Sequence, residues 1–249
     1  LCGKNGYMVK PSPDFLTLPQ LERIPWLVHG FGTGAWEEAD LDREERLEGF
    51  MPVIMRQLHS DTLHRLEAAP SVRLEGDALM TDVPGLLLVV RTADCLPVLL
   101  VDGANRAVAA VHCGWRGTQG RMLDKAVAAM EVAYGTDPRA LVAAFGPCIG
   151  PCCYAVGPEV RAAFHDAGFP DDVFYERGGR AFLDLRAANV KLLDSLGIGR
   201  DNIVSAGACT HCAPGLLSHR RDKDEKRRMF NFIGIRRAGA KSPGSTLPQ

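Results

Sequence analysis

The sequence predicts one compact domain in which buried β-strands are combined with a few helices. Three observations carry this expectation. The runs 86–90 (LLLVV), 98–101 (VLLV) and 107–111 (AVAAV) are short, continuously apolar and bounded by Pro or Gly, as strands buried on both faces are. Met122, Leu123, Ala126, Val127 and Met130 recur at the helical period, with Thr118 as their candidate N-cap. A chain of 249 residues, 46% of them apolar, can bury a sizeable core, and no repeat of solenoid period interrupts it.

Taken in order, strands are expected at 7–9 and 26–31, and Gly30, Gly32 and Gly34 should then form a flexible turn. The charged segment 37–47, with Leu41 and Leu47 as its few apolar residues, reads as a short surface helix. Val53, Met55 and Gln57 alternate like a strand, 63–66 is its partner, and 76–81 leads into a central sheet formed by the three apolar runs. Asp102-Gly103-Ala104-Asn105 supplies tight-turn chemistry, so the second and third runs pair as a hairpin. Beyond the helix, strands are expected at 141–145, 203–206 and 230–235 and helices at 158–167 and 184–196. The domain spans residues 1–237, and the Gly/Ser/Pro-rich tail from Ala238 is expected to be disordered.

With 29 basic and 30 acidic residues the formal net charge is −1, which gives no global field for nucleic acid or an anionic membrane. No apolar run approaches the roughly 18 residues that span a bilayer, and the opening residues lack a signal-peptide layout, so a cytoplasmic protein is expected. The eight cysteines are dispersed, which favours reduced thiols over a disulfide framework.

The chemistry concentrates between Arg91 and Thr118. The hairpin brings Cys95 and His112 to one end, and His59 ends the earlier strand. Two histidines and a cysteine form a candidate zinc tripod that leaves a fourth position for water, whose pKa the ion would lower toward ~7. Cys95 as a nucleophile with His112 as base and Asp94 as orienting group, or ordinary core residues, are the competing readings. A helix starting at Thr118 would aim its amide ends and dipole at this region, a position that suits phosphate. Arg116, Arg220 and Arg221 are candidate anion clamps, and Trp115 or Phe31 could stack on a planar base. Cys209-Thr210-His211-Cys212 resembles half of a zinc ribbon, but no second pair follows and Cys148, Cys152 and Cys153 are wrongly spaced, so these cysteines read as small structural residues.

The order of these blocks resembles the YfiH-like family, also called the laccase-domain, polyphenol oxidase or purine nucleoside phosphorylase family. The matching blocks include Gln57-Leu58-His59, Gly76-Asp77-Ala78-Leu79, Thr92-Ala93-Asp94-Cys95-Leu96-Pro97, His112-Cys113-Gly114-Trp115-Arg116-Gly117-Thr118, Gly146-Pro147-Cys148-Ile149-Gly150 and Ser218-His219-Arg220-Arg221. The resemblance implies an α+β fold with mixed β-sheets layered between helices, similar to cysteine hydrolases of the deamidating-toxin type. It implies Zn²⁺ held by His59, Cys95 and His112; Asp94, beside Cys95 in sequence, is on its own chemistry a further catalytic candidate as a proton shuttle. The implied activities are phosphorolysis of adenosine, inosine, guanosine and methylthioadenosine, and adenosine deamination, in a monomer or small homo-oligomer whose partners are a purine nucleoside and phosphate. A peptidoglycan editing factor acting on muropeptide precursors as a cysteine hydrolase or amidase is the alternative. A non-catalytic binding protein would instead have a closed four-ligand metal site or none. Seven scattered histidines without a His-x-His pair disfavour a copper laccase. Phe31-Gly32-Thr33-Gly34 carries glycine where the family has arginine, Cys113 replaces a small alanine and His219 a common tyrosine.

Overall fold

The computed structural model describes residues 15–223 and 225–239; the strand expected at 7–9 and the tail from residue 240 lie outside them. Two mixed sheets face each other. The five-stranded sheet runs from edge to edge through Phe15–Leu16, Leu27–Gly32, Met229–Ile235, Leu86–Thr92 and Met51–Ile54. The six-stranded sheet runs through Ile203–Ser205, Val142–Phe145, Leu96–Asp102, Ala107–Cys113, Ala78–Thr81 and Leu63–Arg65. Each contains parallel as well as antiparallel pairs, so the expected α+β class with mixed sheets is the observed one.

Side-chain alternation explains why the central runs are apolar throughout. Leu99, Val101, Val108 and Ala110 point at Leu88, Val90 and Ile233 of the facing sheet, while Val98, Leu100, Ala109 and Val111 pack under helices Met122–Tyr134 and Leu185–Ser195. Both faces are dry. The outer face of the five-stranded sheet, through Val28, Leu87, Val89 and Phe232, is covered by Trp36, Leu41 and Leu47.

That cover differs from the expected surface helix. Residues 37–47 form two 3₁₀ turns, Glu38–Asp40 and Glu45–Leu47. Six residues apart on an α-helix, Leu41 and Leu47 would lie about 120° apart around the axis, at the two margins of an apolar stripe. Two separate turns bury both. Gly30 and Gly32 also depart from the expected turn, because they lie within strand Leu27–Gly32. A Cβ on Gly30 would sit 2.4 Å from the Phe232 ring and one on Gly32 2.6 Å from the Phe230 carbonyl. Close packing, not turning, requires glycine there.

The three apolar runs do not share one sheet. Leu86–Thr92 belongs to the five-stranded sheet, and the chain crosses to the other at residues 93–95, where Asp94 has φ +88°. The expected hairpin is present: Leu96 faces Cys113 and Pro97 faces His112. Thr118 is not an N-cap. It lies inside a five-residue helix, Trp115–Gln119, where its buried hydroxyl accepts a hydrogen bond from Asn189 at 2.9 Å. The long helix starts only at Met122, because Arg121 takes a left-handed conformation at φ +57°, and Arg121 is held there by Asp124 at 2.6 Å. A three-stranded sheet of Ala155–Val156, Arg180–Leu183 and Phe174–Arg177 was not expected from the sequence.

Candidate active site

The crossover at residues 93–95 and the end of the central hairpin put Cys95 and His112 on neighbouring chain segments, and the loop after strand Met51–Ile54 adds His59. One donor atom from each of the three lies within 4.8 Å of the others. The two imidazole rings are 5.0 Å apart and nearly perpendicular. His112 is buried at the root of the site, whereas His59 is exposed at its mouth.

The residue that assembles this group is Asp77, from the Gly76-Asp77-Ala78-Leu79 block. Its carboxylate accepts hydrogen bonds from the amides of Leu58 at 3.3 Å, His59 at 3.1 Å and Ser60 at 2.6 Å, and from the Ser60 hydroxyl at 2.6 Å. It also meets His112 Nδ1 at 2.8 Å. These amides hold His59 at φ +56°, in the left-handed region that a histidine seldom adopts. Gln57 secures the same loop from its other side, accepting from the Arg91 amide at 2.7 Å and donating to the Arg91 carbonyl at 2.9 Å.

The electrostatics follow from these contacts. Burial alone would raise the Asp77 carboxyl, but hydrogen bonds from His112 and Ser60 outweigh it and hold the group well below the usual carboxylate range. Burial also opposes a Cys95 thiolate, yet His112 and His59 bring that thiol down to about 6. His112 is lowered by burial and raised more strongly by Cys95 and Asp77, to about 9. Cys113, one residue on and pointing into the helix-side core, is pushed far up by burial and stays a thiol.

The donor set suits a metal ion of borderline softness. Cys95 already favours the thiolate that such an ion requires, and Asp77 takes Nδ1 of His112 and so leaves Nε2 for coordination. Gly114 keeps the space clear, since a Cβ there would lie 2.9 Å from Cys95 Sγ and 3.4 Å from His59.

A cleft of about 600 Å³ opens over the three residues. Among the described residues, five cationic side chains line it (Arg91, Arg116, Arg220, Lys226 and Arg228) against one carboxylate, Asp94. A chain of nearly zero net charge thus concentrates positive potential at one place. Trp115 and Tyr154 also line the cleft, with Arg116 over the indole at 4.3 Å and Arg220 over the phenol at 5.2 Å.

Asp94 stands beside Cys95, but both of its oxygens are engaged, by the Thr210 hydroxyl and the Arg220 amide, each at 2.6 Å. Arg221 is not an anion clamp. Its guanidinium is spent on the carbonyls of Thr210, His211, Ala213 and Leu216 and on Asp222, and it faces a different cleft. Phe31 cannot stack on a ligand, because it is fully buried beneath Gly146. The amide ends expected to favour phosphate belong to the short Trp115–Gln119 helix and not to the long one. Gly34 lines the cleft of Arg221, away from His59.

Comparison with known proteins agrees with this architecture. Over 252 residues the chain is 43% identical to a purine nucleoside phosphorylase of Deinococcus radiodurans, covering 92% of this chain and 96% of that one. Over 143 residues it is 43% identical to adenosine deaminase RL5 of an unknown prokaryote, covering 56% and 54%. The crystal structure of the hypothetical protein YfiH of Bacillus licheniformis superposes with a TM-score of 0.81 at 27% identity, covering 90% of this chain and 97% of that one. Residues 39–236 match the profile described as multi-copper polyphenol oxidoreductase laccase, and the chain belongs to this YfiH-like family.

Proposed function

We propose that the protein is a purine nucleoside phosphorylase that also deaminates adenosine, with Zn²⁺ held by His59, Cys95 and His112. The observation that carries phosphorolysis is the group of five cations around the three-ligand cluster. A cleft with that charge suits phosphate, and Arg116 and Arg220 are its clamps, since guanidinium groups bind phosphate oxygens in pairs. Bound there, zinc would supply Lewis-acid activation at the open side of the ligand set.

The chain's own residues supply the rest. Trp115 and Tyr154 offer aromatic faces for the purine, and the cations keep the phosphate beside the ribose. A hydrogen phosphate oxygen then forms a bond to the anomeric carbon as the C–N bond breaks, the electron pair leaves with the purine, and the base takes up the proton that the phosphate gives up. Asp94 acts as a positioning residue, because it holds the backbone of Arg220 and the loop of Thr210 against the site. Deamination shares the cleft, and the relative named as an adenosine deaminase supports it. Water adds at the purine amino carbon and ammonia leaves.

Zinc-replete protein should convert inosine to free base and ribose 1-phosphate only with phosphate present, and adenosine to inosine without it; failure of both conversions overturns the reading. The polarised Cys95–His112 pair and its Asp77 contact favour a cysteine hydrolase as the second reading. Rapid alkylation of Cys95 in zinc-replete protein would support that alternative.

A further inference from the structure

We infer that Cys152, Cys153, Cys209 and Cys212 form a second metal site, a closed tetrathiolate that binds one Zn²⁺ and fastens together the two loops behind the cleft. The four cysteines lie in two loops far apart in sequence, and the pair missing from the ribbon-like Cys209-Thr210-His211-Cys212 motif is supplied by the fold as Cys152 and Cys153. The inference is independent of the nucleoside reading.

The sheet explains how the loops meet. Ile203–Ser205 runs parallel to Val142–Phe145 at the sheet edge, and the pairing continues past the strands as a parallel bridge between Cys148 and Cys209. The Cys148 amide donates to the Ala208 carbonyl at 3.3 Å and the Thr210 amide to the Cys148 carbonyl at 3.1 Å. The two loops therefore leave the edge side by side.

All four sulfurs then lie within 4.8 Å of one another. Cys152 and Cys212 are 3.7 Å apart and Cys153 and Cys212 3.4 Å. A tetrahedral zinc with Zn–S bonds of about 2.3 Å has sulfur–sulfur edges of about 3.8 Å. The spacing suits a single ion. The Gly150 amide donates to Cys209 Sγ at 3.2 Å, an orientation that favours a thiolate. A Cβ on Gly150 would lie 3.3 Å from Cys152 Sγ and 3.5 Å from Cys209 Sγ, so the turn there comes close to both sulfurs. On binding, four thiols release four protons and form four Zn–S bonds. No oxidant is required, and no coordination position stays open for a substrate.

Both loops also touch Asp94. The Ile149 amide donates to its carbonyl at 2.9 Å, and the Thr210 hydroxyl to its carboxylate at 2.6 Å. Arg221 gathers three carbonyls of the Thr210–Ala213 segment from the other side. An ion joining the loops thus secures the backbone next to Cys95 without entering the cleft.

The test is metal content of the full chain, purified under reductant from zinc-supplemented culture. Two zinc ions per chain are expected in the wild type, one in Cys212→Ser and Cys152→Ser, and one in Cys95→Ser. In protein reconstituted with Co²⁺, sulfur-to-cobalt charge transfer of tetrathiolate intensity should persist in Cys95→Ser and disappear in Cys212→Ser. Should the serine variants fail to fold, the wild-type cobalt spectrum decides: a tetrathiolate signature supports the site and its absence overturns it. A metal content unchanged by Cys212→Ser, or a Cys153–Cys212 disulfide in the native protein, also overturns it.

Discussion

His112 reaches the cleft from the seven-residue strand Ala107–Cys113, buried along its whole length, while Cys152, Cys153, Cys209 and Cys212 hang from two loops beyond a sheet edge. In the first region, register and Asp77 set the positions of the donor atoms before any ion arrives. In the second, four sulfurs are brought close by turns and not by strands. A site pinned by a strand histidine and a buried carboxylate, with Cys95 and His59 on the adjoining loops, can leave an open coordination position for reactant. One built on loops gains most from a closed shell, because the ion itself supplies the cross-link.

Replacements that separate the regions sharpen this contrast. Cys95→Ser should bring both phosphorolysis and deamination to background while leaving the thermal midpoint close to wild type, as read by product assay and calorimetry. A large fall in the midpoint would break the contrast, since the site held by His112 and Asp77 would then depend on its ion for shape.

Next in size is an acid effect that neither region supplies. His29 is buried and accepts the Leu18 amide at 2.9 Å through Nε2, and burial lowers it to about 4. The unfolded chain, whose histidine titrates near 6.5, takes up the proton first as pH falls. Stability is therefore full above pH ~6.5 and declines toward pH ~4, by at most about 3 kcal/mol. Denaturant titrations at both ends of this window should show the decline, and His29→Gln, which keeps an acceptor for Leu18, should flatten it.

Asp77→Asn should weaken zinc at the cleft about 10–100-fold, the usual cost of losing the carboxylate behind a histidine ligand, and leave the tetrathiolate's cobalt spectrum unchanged. Competition with a chelator measures the first, and a matching change in both ions would erase the distinction. Arg116→Ala should raise the KM for phosphate about 10-fold, the worth of one charge-assisted hydrogen bond, and leave adenosine deamination nearly intact. Equal losses in both reactions would move Arg116 from the phosphate to the nucleoside.

What could be read from sequence divides along the same line. The apolar runs disclosed the buried strands because strands dry on both faces have no polar alternation, and Asp102-Gly103-Ala104-Asn105 disclosed the hairpin that aligns Pro97 with His112. The gathering of His59, Cys95 and His112 followed from motif order rather than from spacing. Asp77 escaped notice because five hydrogen bonds converging on one carboxylate leave no periodic trace. Arg221 misled because a mixed charge run does not show which guanidinium carbonyls will capture. The Phe174–Arg177 and Arg180–Leu183 hairpin has a legible signal in Gly178-Gly179, both at positive φ. The four thiols could not be associated, since their meeting depends on a parallel pairing between strands remote in sequence.

The carboxylate of Asp77 already occupies the three successive amides at Leu58, His59 and Ser60, and it offsets a left-handed histidine costing about 1–3 kcal/mol. A floor so fully committed has no spare donors to rearrange when reactants arrive. On the proposed function, discrimination among nucleobases falls instead to the wall that carries Trp115 and Tyr154, the aromatic faces offered to the purine. Relatives that prefer different bases should diverge in that wall and keep the floor.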